Sequence, residues 1–415
     1  MAVASCRVLD SDVAVLRDLG RRVRAIAQDP VNRERREAWL ALGELRATRP
    51  MILAETGGVR GELYDSVPLR CTEDWARELE ANFNDVIFRF EQVKDDHVIL
   101  PCINCGWNVS ITDFGVVSKK EYGDNAGKLA SYHWDPPIKD LDRDFGKLRH
   151  RQFSVGREQT RVWMAHLKQV FDGILDVRLR GTYWWTMGMT IQAIDLIGLE
   201  PFMLAMYDHP KELHRLMAFL RDDALALFDW LEKEDLLTLN NENDYIGSGS
   251  EGFTRRLPQS ENGPVRAKDL WVLSESQETV GVSPELFEEF VFQYQLPVME
   301  RFGLCYYGCC EPVHTRWHVL KRIPNLQRVS VSPWCDETFM AEHLGRDYVF
   351  SRKPNPTLIS CEKFDEDLIR RDLRNTLAVA KDCNLEIVMK DVHTLNNHPE
   401  RLGRWVRLAR ECSGA

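Results

Sequence analysis

Along the first fifty residues apolar side chains return every three or four positions: Val13, Leu16, Leu19, Val23 and Ile26, then Trp39, Leu40, Leu42 and Leu45, with charges between them. That period lays an apolar stripe along a helix, so Asp10 to Arg49 is expected to form a helical leader. Further on the pattern changes. Short runs rich in Val, Ile, Leu and Tyr recur as HVILPCI, DVRLRGT, LLTLNN, DLWVLSES, GLCYYGC, QRVSVSP, YVFSRKP and LEIVMKD, each of strand length. Amphipathic segments separate them. One is PKELHRLMAFLRDDALALFDWLEK, whose Pro210 suits a first helical turn; another is SPELFEEFVFQYQLPVMERF, opened by Ser283 as a cap and Pro284 behind it.

Strands alternating with helices pair in parallel through right-handed crossovers, and eight such units are what a closed (β/α)8 barrel requires. The competing open, doubly wound sheet lacks its mark here, a G-x-G-x-x-G after an early strand. The expected fold is therefore α/β: a TIM (β/α)8 barrel over residues 91–415, with residues 1–90 as an N-terminal helical extension packed on it.

Composition narrows the function classes. The 415 residues are 44% hydrophobic and 28% charged, enough for a sizeable core. A formal charge of -10 argues against a long-range field for nucleic acid or an anionic membrane. Arg7, Asp10 and Asp12 interrupt the N-terminus, and no later run approaches the length of a membrane span, so a cytoplasmic protein is expected. Eleven scattered cysteines, an odd number, predict reduced thiols in place of a disulfide framework.

Polar residues gather where the candidate strands end. They include Asn240 to Asp244, Ser274 to Glu278, Cys309 to Glu311 with His314, then Ser332, Trp334 and Asp336, then Arg352 and Lys353, and last Lys390, Asp391 and His393. In a barrel these endings share one mouth, where the chemistry sits. The densest stretch is CYYGCCEPVH, Cys305 to His314. Alternation along a strand puts Tyr307 and Cys309 on one face and Tyr306, Gly308 and Cys310 on the other. Two readings stay open. Cys309 or Cys310 binds zinc as thiolate, with His393 and a carboxylate such as Glu242 or Glu311, or the pair is simply two small buried thiols. Lys390 beside Asp391 is equally a general acid–base pair or a structural one. Cys102-x-x-Cys105 lacks a second pair at zinc-ribbon distance, and Tyr183-Trp184-Trp185 reads as core or pocket wall.

MTIQAIDLIGLEPFMLAMYDHPKEL, SPELFEEFVFQYQLPVMERF, YYGCCEP, LGRDYVFSRKPNP and VMKDVHTLNNHPERL give the segment from about Gly173 to Arg407 its likeness. It resembles the uroporphyrinogen decarboxylase superfamily, which holds both the haem-pathway decarboxylase and the corrinoid-linked methyltransferases. The resemblance implies a TIM barrel with its site at the strand ends. The decarboxylase's arginine-rich opening has no counterpart around RPMILAETGGVRGELY. In the methyltransferase branch zinc is held by an H-x-C motif and a later cysteine; here those places read Tyr307-Gly308-Cys309 and Val392-His393-Thr394.

What the resemblance implies is a methyltransferase moving a methyl group between a small methylated substrate and a corrinoid. The corrinoid would come on a separate protein, since a cobalamin-binding module is missing from the chain. Cys309, Cys310 and His393 would then hold zinc. Glu242, Lys390 and Asp391 would do the chemistry, and Asn241, Trp271, Glu275, Tyr307, His314 and Lys353 would line the pocket. The alternative is a metal-independent decarboxylase or lyase in which Lys353 or Lys390 grips a small carboxylate. A non-catalytic binding protein is the third option, and a homodimer is compatible with all three.

Overall fold

The structure, a computed structural model, describes residues 7–64, 67–122, 132–259 and 262–414; Cys6 lies outside them. The leader forms two helices, α1 (Asp10–Ala27) and α2 (Pro30–Gly43). The break falls at Asp29, whose carboxylate accepts the Val31 N–H at 2.9 Å, and Pro30 then opens the second helix. Leu16, Leu19, Val23 and Ile26, the stripe seen in the sequence, pack on Phe83, Phe171 and Ile174.

Eight strands matter for the site: β1 (Met51–Ala54), β2 (Cys102–Cys105), β3 (Asp176–Leu179), β4 (Trp271–Ser274), β5 (Leu304–Tyr307), β6 (Leu326–Val331), β7 (Val349–Arg352) and β8 (Asn384–Met389). Six make a parallel sheet in the order β1-β8-β7-β6-β5-β4, and β2 and β3 form a separate parallel pair. LQRVSV and NLEIVM are buried at all six positions, as expected of strands covered on both faces. Outward residues Val329, Val331, Phe350, Ile387 and Met389 join Leu216, Leu220, Leu373 and Trp405 of the helices in the largest apolar cluster. No helix among the described residues is long and apolar enough to cross a membrane.

Three departures from the sequence expectation stand out. Met51–Ala54, inside the stretch expected to be helical, is a strand paired with β8 from Met51↔Glu386 to Ala54↔Met389. HVILPCI becomes a strand only at Cys102, after Pro101, which has no N–H to give a ladder. LLTLNN forms no strand at all. Here side chains take the places a ladder would use: Asn240 bonds both the N–H and the C=O of Trp271, at 2.9 and 3.0 Å, and Thr238 Oγ1 bonds both backbone groups of Gly181, at 2.9 and 3.0 Å. At the opposite edge Asp96 and Asp95 accept the N–H groups of Ile52 and Ala54, at 2.8 and 3.0 Å. Among the described residues these side chains share the edges with backbone groups, the Asp96 N–H on the Ile52 carbonyl at 2.8 Å and the Met187 N–H on the Leu273 carbonyl at 2.9 Å, and the continuous eight-strand ladder expected from the sequence is not formed.

Candidate active site

Side chains alternate along the strands, so the inner row that contains Trp271 and Leu273 continues to Glu275, that of Ser351 to Lys353, and that of Glu386 to Lys390. Met51 and Leu53 lead in the same way to Glu55. These groups meet at the carboxyl ends of the strands. The centre is a contact of 3.2 Å between Lys390 Nζ and Cys309 Sγ. Lys390 also donates to Ser248 Oγ at 3.2 Å and lies 3.2 Å from the Asp391 carboxylate.

Gly308 explains how Cys309 arrives there. Its φ of +98° lies in the left-handed region that favours glycine, and strand alternation stops at this residue. Tyr307, the last residue of the regular strand, points outward with Cys305, its hydroxyl 3.1 Å from Gln295 Oε1 and 3.3 Å from Ser276 Oγ. Tyr306 points inward to Ser351 at 2.8 Å. The expectation that Tyr307 and Cys309 share a face is corrected: the turn separates them, and Tyr307 belongs to the packing against the helices. The turn is held by the Cys309 N–H, which donates to Glu311 at 2.9 Å, and by Ser330 Oγ, which donates to the Cys309 carbonyl at 2.8 Å.

Protonation is displaced throughout this cluster. The Cys309 thiol is brought down to about 7 by a hydrogen bond from Cys310, 3.6 Å away, and by the Lys390 ammonium, against the opposing effect of burial. Cys310, which keeps the proton, is pushed up by the same contact. Burial works against the Lys390 charge, yet Cys309 and Asp391 outweigh it and hold the ammonium charged. Burial alone dominates at Lys353, which falls to about 7, and its Nζ donates to Ser351 at 2.5 Å. Burial and the neighbouring carboxylate of Glu311 raise Glu275 well above the usual carboxylate range. Glu311 is raised by burial as well, although it accepts the N–H groups of Ser276 and Cys309. The site therefore sets a thiol brought down to about 7 against an ammonium held charged, with a buried amine at about 7 and two carboxyls raised by burial beside them.

Sequence reasoning missed Glu55, Ser248 and Tyr245. Glu55 is raised by burial and feels Lys390, Asp391 and Lys353; Tyr245 is raised to about 12 by burial and then by Glu55. The available signal for Glu55 was the apolar run MILA ending in an acid. Ser248 and Tyr245 lie on a tight hairpin pairing Tyr245–Gly247 with Ser250–Glu251. Its tip needs Gly249, where a Cβ would sit 2.8 Å from Glu55 Oε1 and 2.6 Å from Val388.

The remaining predicted residues lie apart from this pair, and no described contact joins them to Cys309 or Lys390. Glu242 is 2.9 Å from Arg178. Asn241 donates to the Leu257 carbonyl at 2.8 Å, and Trp271 is fully buried with Nε1 on the Gly252 carbonyl at 2.9 Å. His314 accepts the Asp336 N–H at 3.3 Å. His393 is exposed. Cys102 and Cys105, three apart on one strand, are both free and both raised by burial.

A zinc site takes at least three protein donors. Here Cys309 has an ammonium as its ionic partner, His393 stands exposed, and among the described residues no group of three His, Cys, Asp or Glu side chains could hold a metal ion. The donor set does not fit zinc.

No family model matches the chain, and no curated protein matches it. Among solved structures, a methyltransferase from Methanosarcina mazei superposes with a TM-score of 0.51 at 11% sequence identity, covering 91% of this chain and 98% of that one. At that identity the likeness concerns the fold, which it extends over nearly the whole of both chains.

Proposed function

We propose that the chain is a barrel enzyme of methyl transfer, taking a methyl group from a small methylated substrate at the strand ends and giving it to a corrinoid carried by a separate protein. The observation that carries this reading is the buried contact of Cys309 and Lys390 at 3.2 Å, beside Glu275 and Glu311, two carboxyls raised by burial. The likeness in fold to a methyltransferase supports it. The corrinoid supplies the methyl acceptor. For its part the chain must place the methyl group in line with that acceptor and neutralise the heteroatom that loses it. Lys390, kept charged by Cys309, faces developing negative charge, and Glu275 supplies the proton. Since the donors do not fit zinc, no step passes through a metal.

A second reading has its own observation. Lys353, brought to about 7 by burial, is a buried amine able to exchange protons at neutral pH, which suits a metal-independent carboxy-lyase acting on a small carboxylate.

One experiment separates the two. The purified chain is incubated with reduced free cobalamin and a panel of methylated amines, ethers and carboxylates, and both demethylated product and carbon dioxide are measured. The methyl-transfer reading expects demethylation without carbon dioxide, with losses of about a hundredfold in Lys390→Met and Glu275→Gln. Carbon dioxide release from an unmethylated carboxylate would replace it with the second reading, and ligand-induced stabilisation without any turnover would leave a binding protein.

A further inference from the structure

Adjacent cysteines on a regular strand point to opposite faces. Here the turn at Gly308 brings the sulfurs of Cys309 and Cys310 to 3.6 Å, with the Lys390 ammonium 3.2 Å from the first and the Asp391 carboxylate 3.6 Å from the second. The two differ in access: Cys309 is 5% exposed, whereas Cys310 is only half-buried. One sulfur is placed beside a fixed cation and the other beside an anion, so the proton sits on Cys310 and the nucleophile is Cys309. The remaining described cysteines stand outside this arrangement; the nearest in sequence, Cys305, is buried against the sulfur of Met299 at 3.6 Å.

We propose that Cys309 and Cys310 are a reversible oxidation site, a dithiol that a hydroperoxide converts into a disulfide between neighbouring residues. In the first step the Cys309 sulfur attacks the outer oxygen of the hydroperoxide and the O–O bond breaks. The leaving alkoxide or hydroxide takes a proton from Lys390, and Cys309 becomes a sulfenic acid. In the second step the Cys310 sulfur displaces the hydroxyl from the Cys309 sulfur; the hydroxyl departs as water with the Cys310 proton, and the S–S bond forms. Two electrons pass from the two sulfurs to the peroxide, giving one alcohol or water from the first step and one water from the second.

The ring closed in this way is strained. Neighbouring Cα atoms are about 3.8 Å apart, below the roughly 4.4–6.8 Å that disulfides span without distortion. A strained disulfide is reopened readily by a dithiol reductant, which suits a site that is switched and not consumed. Oxidation also removes the thiolate that keeps Lys390 charged. Having given its proton to the leaving group, Lys390 ends as a neutral amine with no thiolate to recharge it, so an ion pair is lost and the cluster is changed electrostatically as well as covalently.

The experiment is a mass measurement, independent of any methyl transfer. The full chain is treated with a small excess of hydrogen peroxide at pH 7, alkylated under denaturing conditions and cleaved, and the peptide spanning residues 302–316 is weighed. The expected result is the loss of two hydrogens, with Cys305 alkylated and Cys309 and Cys310 protected, fully reversed by dithiothreitol. Cys310→Ala, and independently Cys310→Ser, should instead accumulate a dimedone-reactive sulfenic acid on Cys309. In Lys390→Met the oxidation should slow by about tenfold. The proposal is overturned if oxidised wild-type chain carries oxygen on Cys309 while Cys310 still alkylates, if Cys309 pairs with another cysteine, or if the Lys390→Met rate equals that of wild type.

Discussion

Two charged clusters share the inner faces of the same strands and differ in how their charges are met. The deeper one joins Arg328 of β6 to Glu386 of β8 at 3.1 Å, both without solvent exposure. Ser250 and Ser351 donate to Glu386, Tyr306 bonds Ser351, and the Trp271 ring lies 5.3 Å from the guanidinium. Two residues further along β7 and four along β8 stand Lys353 and Lys390, at the strand ends. Here thiolate, amines and carboxyls are crowded without one-to-one matching, and Cys309, Lys353, Glu275 and Glu311 all leave their usual protonation ranges. The deep pair sets one cation against one anion, with hydroxyls on the carboxylate; Arg328 Nε and Nη2 have no hydrogen-bond partner among the described residues, so it is the ion pair that ties the strands together. The outer cluster is suited to moving protons because several of its groups are near the point of changing charge.

The difference can be broken most severely from below. Glu386→Gln leaves the Arg328 charge buried without its ionic partner, and should cost about 3–5 kcal/mol in denaturant unfolding. A loss within about 0.5 kcal/mol, the range of ordinary surface changes, would mean that the deep pair is not structural.

A smaller effect is expected from Lys390→Met. Without the ammonium, the pH midpoint for alkylation of Cys309 should climb from about 7 towards the roughly 8.5 of an ordinary thiol. An unmoved midpoint would show that Lys390 does not stabilise the thiolate.

Glu275→Gln should produce the mildest change, and one with a sign. Glu275 is raised in the folded chain and carries the ordinary carboxylate value, 4.5, once unfolded. Above that value folding must take up a proton, so the wild-type acid costs stability as pH rises through 4.5. Glutamine removes this cost. The variant should match wild type well below pH 4.5 and exceed it increasingly above, as followed by thermal unfolding across pH; a constant difference would mean that Glu275 is ionised when folded.

Much of the sheet was legible because parallel strands covered on both faces leave nearly continuous apolar runs, and DLWVLSES, GLCYYGC, QRVSVSP, YVFSRKP and LEIVMKD all contain strands of the main sheet. Lys353, Lys390 and Glu275 were legible for a related reason, since each apolar run gives way to polar residues where its strand ends. MILA was passed over because four residues give too short a period beside a strongly helical leader. LLTLNN looked like a strand, yet Thr238 and Asn240 use their side chains where a ladder would use backbone, and no local pattern distinguishes the two. The expectation that Tyr307 and Cys309 share a face depended on unbroken alternation, which the positive φ of Gly308 ends. The proximity of Cys309 to Lys390, 81 positions later, is a fact of tertiary structure that neither spacing nor composition contains.

The chemistry at the strand ends requires Cys309 to ionise near neutral pH, and alkylation tests this directly. The rate of iodoacetamide addition to Cys309 in the folded wild-type chain is measured against pH and located at the residue by mass spectrometry. A midpoint near 7 is the expected result. A midpoint at about 8.5 or above, where an unassisted thiol ionises, would contradict the pairing of Cys309 with Lys390 and the chemistry built on it.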